Sequence, residues 1–274
     1  MVHQSERYDV STLLVIGGGL FGSAAAAYAR AKGIEALVFD AALGGAASPA
    51  AAGLFSERWA GRKYRDHYRK ALPLLDQLYG IRRIELQDGT GQSETLLFVP
   101  PAAMLEPAPT RERVTTVGDG WLETAGRVYC GDVYVAAGVW SEAFLPGLGV
   151  FGKAGAALLF AGERPAQIRQ LAPGRQVISF IRDPGFTYFS DGTAERDYTE
   201  EHERLTRERA AAAGLVAPPV ERLWGCRPYV PGGPVFRKLG ARTWLATGGR
   251  KMGTILAASF ARRLIEEELL QGLA

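Results

Sequence analysis

The chain has 274 residues, 47% hydrophobic and 22% charged, with a formal net charge of +3. That is material for one large domain or two small ones, and the charge is too small to point to nucleic acid. Two distant cysteines, Cys130 and Cys226, no CxxC and three scattered histidines leave a zinc or dithiol centre without support, so both thiols are expected reduced.

No run approaches the roughly 18 uncharged apolar residues of a membrane span, and the acidic N-terminal stretch does not read as a signal peptide. A cytoplasmic location is the expectation. "TLLVI" (Thr12 to Ile16) reads as a buried strand, Leu20 to Lys32 as an alanine-rich helix capped by Gly33, and "EALVFD" (Glu35 to Asp40) as a second buried strand. "AALGGAASPAAAGLF" (Ala41 to Phe55) breaks the alternation with small residues. Arg62 to Tyr79 carries helical spacing, with Pro73 as a possible kink, and its basic stretch Arg62 to Lys70 reads as a solvated face. "PPAAMLEPAPT" (Pro100 to Thr110) has a linker's composition, and short strands follow between Arg113 and Cys130. "DVYVAAGVWS" (Asp132 to Ser141) predicts another buried strand. Val150 to Thr193 is β-rich, with "AALLF", "QVISFI" and "FTYFS" as strands. A polar helix is predicted over Glu200 to Ala213, a strand at Thr243 to Gly249, and an amphipathic helix over Thr254 to Leu270.

Gly17, Gly19 and Gly22 satisfy G-x-G-x-x-G between a strand and a helix. The first glycine permits the turn, the second lets a pyrophosphate approach the backbone, and the third lets helix and strand pack closely. The helix N-terminus then faces the phosphate with free N–H groups and a favourable dipole. Asp40, 21 residues after Gly19, is placed to accept hydrogen bonds from an adenosine ribose and disfavours a 2′-phosphate. The fingerprint alone is shared by NAD and FAD proteins, although the chain leaves the alternating pattern of a nicotinamide dehydrogenase at Ala41.

Four stretches resemble the FAD-dependent oxidoreductases of the D-amino-acid oxidase and glycine oxidase type. They are "VIGGGLFG…VFD", "GGAASPAAAGLF", "DVYVAAGVWS" and "WGCRPYVPGGPVF…TWLATGGRKMGTILAASFARRL". The resemblance implies an α/β (α+β) fold, with a Rossmann-like FAD-binding domain (1–61, 111–149, 220–274) and an inserted β-rich substrate domain (62–110, 150–219). It implies non-covalent FAD, bound by Gly17, Gly19, Leu20, Phe21 and Asp40 at the N-terminal turn. Ser48, Ala51, Ala52 and Gly53 pass along it, Ala137, Gly138 and Trp140 border it, and Gly249, Lys251, Met252, Gly253 and Thr254 return to it. Arg227 in "GCRP" matches the family's carboxylate-binding arginine, whose fork suits two oxygens. Arg182 and Tyr188 stand among the family's substrate-domain strands, where Phe180 or Arg182 replaces a tyrosine common in members.

The chain is shorter than usual for this family, with the deficit expected between Arg62 and Arg113. The activity implied is oxidation of the C–N bond of an amino acid or secondary amine by hydride transfer to flavin. Two other readings stay open: an accessory flavoprotein whose site a protein partner or subunit completes, and an NAD-dependent dehydrogenase. None requires nucleic acid or a membrane span.

Overall fold

A computed structural model describes residues 12–88, 93–107, 109–164, 166–172, 175–191 and 200–271. In chain order the elements are β1 (Leu13–Ile16), α1 (Leu20–Ala31), β2 (Ala36–Phe39), β3 (Leu54–Phe55), α2 (Glu57–Tyr79), β4 (Arg82–Asp88), β5 (Ser93–Phe98) and α3 (Pro101–Met104). Then come β6 (Val114–Gly118), β7 (Trp121–Thr124), β8 (Val128–Cys130), β9 (Asp132–Val135), β10 (Phe151–Ala161), β11 (Gln167–Ala172), β12 (Arg175–Asp183) and β13 (Phe186–Ser190). The last are α4 (Glu200–Ala212), β14 (Glu221–Tyr229), β15 (Val235–Lys238), β16 (Thr243–Thr247) and α5 (Gly253–Arg262), which continues as a wider-wound turn over Arg263–Leu269.

A five-stranded sheet runs β15-β16-β9-β1-β2, parallel except for β15. Its strand β1, flanked by β9 and β2, is buried at every residue, which is why "LLVI" contains no polar position. Helices α1, α2 and α5 cover one face. Ala24, Ala25, Ala26 and Ala29 of α1 have no exposed surface, and their small side chains let α5 come close. Ile255 to Ala261 of α5 are all buried, as expected of a helix with neighbours on every side. On the other face Leu14, Ile16, Val133, Val135 and Leu245 pack beneath the β6-β7-β8 meander.

An eight-stranded sheet runs β14-β10-β13-β12-β11-β4-β5-β3. Its β10 shows the two-residue period of a strand buried on both sides. Leu158 and Phe160 meet Ala210 of α4, whereas Ala157 and Leu159 pack with Phe98, Phe180 and Tyr188. Helix α4 is also tied to this sheet by an ion pair between Arg209 and Asp191, whose side chains are 18% and 1% exposed. Thr206 Oγ1 donates to the same carboxylate at 3.2 Å. Arg209→Ala removes this ion pair at a buried carboxylate, so a loss of about 3 kcal/mol is expected in denaturant unfolding.

Most predicted elements form, with three differences. Pro73 lies within α2 without disturbing it, and the break falls at Gly61, with φ of 59°. The proline-rich stretch after Pro100 is not all linker, since α3 forms there and buries Pro101 and Met104. The hairpin β4-β5 and the strands β11, β14 and β15 were not anticipated. Two segments also pack otherwise than the sequence division implies. Helix α2 lies against α5 beside the five-stranded sheet, and β14 pairs with β10 in the eight-stranded one. The reason is local: α2 presents Tyr68, Ala71, Leu74 and Leu75 to the α1–α5 core, and β14 pairs along its whole length with β10.

The basic face of α2 is solvated, as expected. Arg65 and Arg69 pair with Glu57, and Lys70 with Glu267. Cys130 and Cys226 are both free thiols. Among the described residues no helix is long and apolar enough to cross a membrane.

Candidate active site

The turn from β1 into α1 has the geometry its glycines require. Gly17 takes φ of 104°, and a Cβ there would lie 2.5 Å from the Ala136 carbonyl oxygen at the end of β9. At Gly22 a Cβ would meet the Gly17 oxygen at 1.9 Å and Val15 Cγ1 at 2.8 Å, so helix and strand touch backbone to backbone. Gly22→Ala is therefore expected to cost about 1–3 kcal/mol through overpacking, read as a lower thermal midpoint.

Helix α1 has glycine, which offers no capping side chain, at its N-cap and no acid in its first turn; apart from the Leu20 N–H, which donates to Ser48 Oγ, its positive end is available to an anion. Asp40 stands beside it. Its Oδ2 accepts from the Gly18 N–H at 2.7 Å and its Oδ1 from the Ala42 N–H at 2.7 Å. Each oxygen keeps a further lone pair for a hydroxyl group.

The small-residue loop that follows β2 joins the two sheets. Ser48 Oγ accepts from the Leu20 N–H at 3.0 Å, Cys226 N–H donates to Gly45 O at 2.7 Å, and Tyr188 Oη donates to Ala50 O at 3.0 Å. Glycine is needed on the β14 side of this contact, since a Cβ on Gly225 would sit 2.5 Å from Ala47 Cα.

These segments enclose one cavity of about 980 Å³, at the upper end of the usual range of roughly 300–1,000 Å³ for ligand sites. All seventeen residues predicted to hold a dinucleotide line it: Gly17, Gly19, Leu20, Phe21, Asp40, Ser48, Ala51, Ala52, Gly53, Ala137, Gly138, Trp140, Gly249, Lys251, Met252, Gly253 and Thr254. The chain's two ends thus meet on one wall, and a Cβ on Gly253 would lie 3.6 Å from Leu20 Cδ1.

Of the three predicted substrate-side residues, Arg227 and Tyr188 line the cavity. Arg182 does not: its Nη1 donates to Pro49 O at 3.2 Å and its guanidinium lies 5.3 Å from the Tyr188 ring centre. The β12–β13 register pairs Phe180 with Tyr188, and Phe180 is fully buried. Arg182, two residues along the same face, therefore reaches the loop rather than the cavity. Burial raises the Tyr188 phenol above its ordinary range against the opposing charges of Arg227 and Arg182. Arg227 Nη1 is buried and has no hydrogen-bond partner.

Sequence reasoning missed several wall residues. Trp59 enters from α2, and residues 112–115 arrive because Thr110 bridges to Phe39 and its oxygen accepts from the Asp40 N–H. Ser190 and Asp191 end β13 at the cavity, and Cys226 brings a thiol whose pKa burial raises. Only the alternation along β13 from Tyr188 to Ser190 could have signalled any of these.

A strand-turn-helix anion site, an acid on the next strand and a long cavity define the class of dinucleotide-binding α/β proteins. Residues 12–93 match the family model of DAO, FAD dependent oxidoreductase. No curated protein matches the chain. Among solved structures it is similar to iminodiacetate oxidase from Chelativorans sp. BNC1 (18% identity, TM-score 0.71, 94% of this chain and 95% of that one). Glycine oxidase from Bacillus cereus gives 15% identity and a TM-score of 0.72, over 96% of this chain and 98% of that one. L-proline dehydrogenase from P. horikoshii gives 12% and 0.72, over 96% and 95%. The N-terminal part of the chain thus matches the model of FAD dependent oxidoreductases, and the fold of the whole chain is the one these solved structures share.

Proposed function

We propose that this protein uses FAD to oxidise the C–N bond of an amino acid or secondary amine. The cavity fits the cofactor on its own terms. Gly17, Gly19 and Leu20 would hold the pyrophosphate at the positive end of α1, Asp40 the ribose, and Gly249 to Thr254 the isoalloxazine beside the start of α5. Neither the small-residue loop nor the 248–254 turn contains His or Cys, in keeping with non-covalent binding. When bound, FAD supplies the acceptor for a hydride from the substrate carbon.

The remaining work belongs to side chains. Arg227 carries the reading: a guanidinium nitrogen buried without a partner, in the same cavity as the glycine turns, is a ready carboxylate site. Holding the carboxylate fixes which way the α-hydrogen points. Tyr188 stays protonated, since burial raises its pKa, so it packs and donates rather than serving as a base. The amine must enter neutral, and the imine product hydrolyses in water. Trp59, Phe21 and Ile178 supply apolar wall that limits water at the reacting carbon. The division follows the sheets, with the dinucleotide on the five-stranded side and the substrate on the eight-stranded side.

The test is anaerobic addition of an amine and amino-acid panel to purified yellow protein. Bleaching of the flavin absorbance by a member of the panel is the expected result. Flavin that is bound yet unaffected by every amine would remove the activity and leave a flavoprotein of another kind.

A further inference from the structure

The first turn of α2 serves both sheets. Ala60 is buried in the core of α1 and α5, together with Tyr68, Ala71, Leu74 and Leu75 further along the helix. Its neighbour Trp59 turns the other way. It packs against the cluster of Leu54, Phe98, Phe180 and Tyr188 on the eight-stranded sheet, and it lines the cavity. Local features deliver it there. Ser56, only 8% exposed, caps the helix, and its Oγ accepts from the Trp59 N–H at 3.1 Å. Arg58 Nη1 meets Glu94 Oε2 of β5 at 3.3 Å, an exposed pair that adds direction more than stability. Gly61 then breaks the helix in the left-handed region, with φ of 59°, so the turn that carries Trp59 need not follow the course of the rest.

Trp59 completes an apolar wall. With Leu54, Ile178 and Tyr188 it bounds the cavity on the eight-stranded side. The polar atoms of that side are engaged within the protein. Tyr188 Oη donates to Ala50 O at 3.0 Å, Ser190 Oγ donates to Ala156 O at 3.4 Å, and Asp191 pairs with Arg209. A substrate that gives its carboxylate to Arg227 therefore lays whatever else it carries against hydrocarbon. A polar group placed there would lose its water and gain no bond. Trp59 is the largest side chain of this wall and the one that stands on a single turn. Its indole occupies space that a small residue would leave to the substrate, and a group forced into filled space is resisted.

We propose that Trp59 determines specificity at this site, limiting the substrate to amines and amino acids whose group beyond the carboxylate is short and apolar. This rests on the amine-oxidising reading above. The test is isothermal titration calorimetry of the purified, flavin-bearing protein with propionate and with 3-phenylpropionate. The two acids differ by one ring and carry no amine to oxidise. The wild type is expected to bind propionate at least as tightly as the larger acid. Trp59→Ala should shift the ratio of the two affinities towards 3-phenylpropionate by about tenfold or more, and Trp59→Phe by less. FAD affinity should change by less than about threefold in Trp59→Ala, since the indole faces the substrate side. A ratio unchanged in Trp59→Ala, a wild type that already prefers the larger acid, or binding of neither acid would overturn the proposal. So would a loss in Trp59→Ala that falls on FAD instead. If the ratio shifts as expected while no amine bleaches the flavin, the amine-oxidising reading is removed and Trp59 stands as the size limit of a carboxylate site.

Discussion

Arg227→Leu is expected to lower kcat/KM for carboxylate-bearing substrates by about a hundredfold or more, with FAD retained. The size follows from the chemistry. A bidentate guanidinium–carboxylate contact supplies two charge-assisted hydrogen bonds, worth roughly 1.5–3 kcal/mol each, and leucine supplies none. The loss should be larger in kcat/KM than in kcat alone, because the contact is made on binding and kept through hydride transfer. An amine without a carboxylate should hardly notice the change. Arg227→Lys should recover part of the loss, since one point charge remains but the fork does not. Steady-state kinetics on the two substrate types reads all of this. Because Arg227 sits on β14, whose backbone is fixed along its length by β10, the substitution should leave the fold unaffected. A variant of unchanged kcat/KM would make Arg227 a wall residue only.

Asp40→Ala is expected to weaken FAD binding by about a hundredfold. The carboxylate does two jobs in the structure. It braces the Gly18 and Ala42 N–H groups at 2.7 Å each, and it offers its remaining lone pairs to the cavity. Alanine loses both, leaving two backbone donors without acceptors at a cost of roughly 1–3 kcal/mol apiece, partly recovered by water. Asp40→Asn keeps an acceptor for one N–H and should fall between the two. Fluorescence titration of the apoprotein with FAD measures the constants. Affinity that survives Asp40→Ala would mean the ribose is held elsewhere.

The dinucleotide side of this site was open to sequence reading because it is built from backbone. Its chemistry depends on where glycine is required, and Gly17, Gly19, Gly22 and Gly253 are visible as letters in a row. The same is true of "TLLVI" and "DVYVA", where burial on both faces of a parallel sheet excludes polar residues. The proposed substrate side was less legible. There the wall is made by side chains that arrive from β12, β13, β14 and α2, and which of them face inward depends on register. Arg182 shows the difficulty: it stands two residues from Phe180 on the same strand, yet it reaches the small-residue loop. Trp59 and Asp191 were invisible for the same reason. Arg250 drew no attention in the sequence because an arginine in a turn reads as a surface charge; only its buried Nε sets it apart.

The loop from Ala41 to Gly53 explains its own composition once the sheets are in place. It runs between β14 and the start of α1, touching Gly225, Cys226 and Leu20, and a side chain at Gly225 would strike the backbone of Ala46 and Ala47. What looked like an irregular break in the pattern is the connection between two sheets and a floor of the cavity.

The most direct measurement is an FAD titration of the purified chain, repeated with Gly17→Val and with Gly253→Val, each judged folded by circular dichroism. If both ends of the chain close on one cofactor, one FAD binds per chain and either substitution weakens it. A wild-type chain that binds no FAD, or a Gly253→Val variant that binds it as tightly as the wild type, would contradict the account.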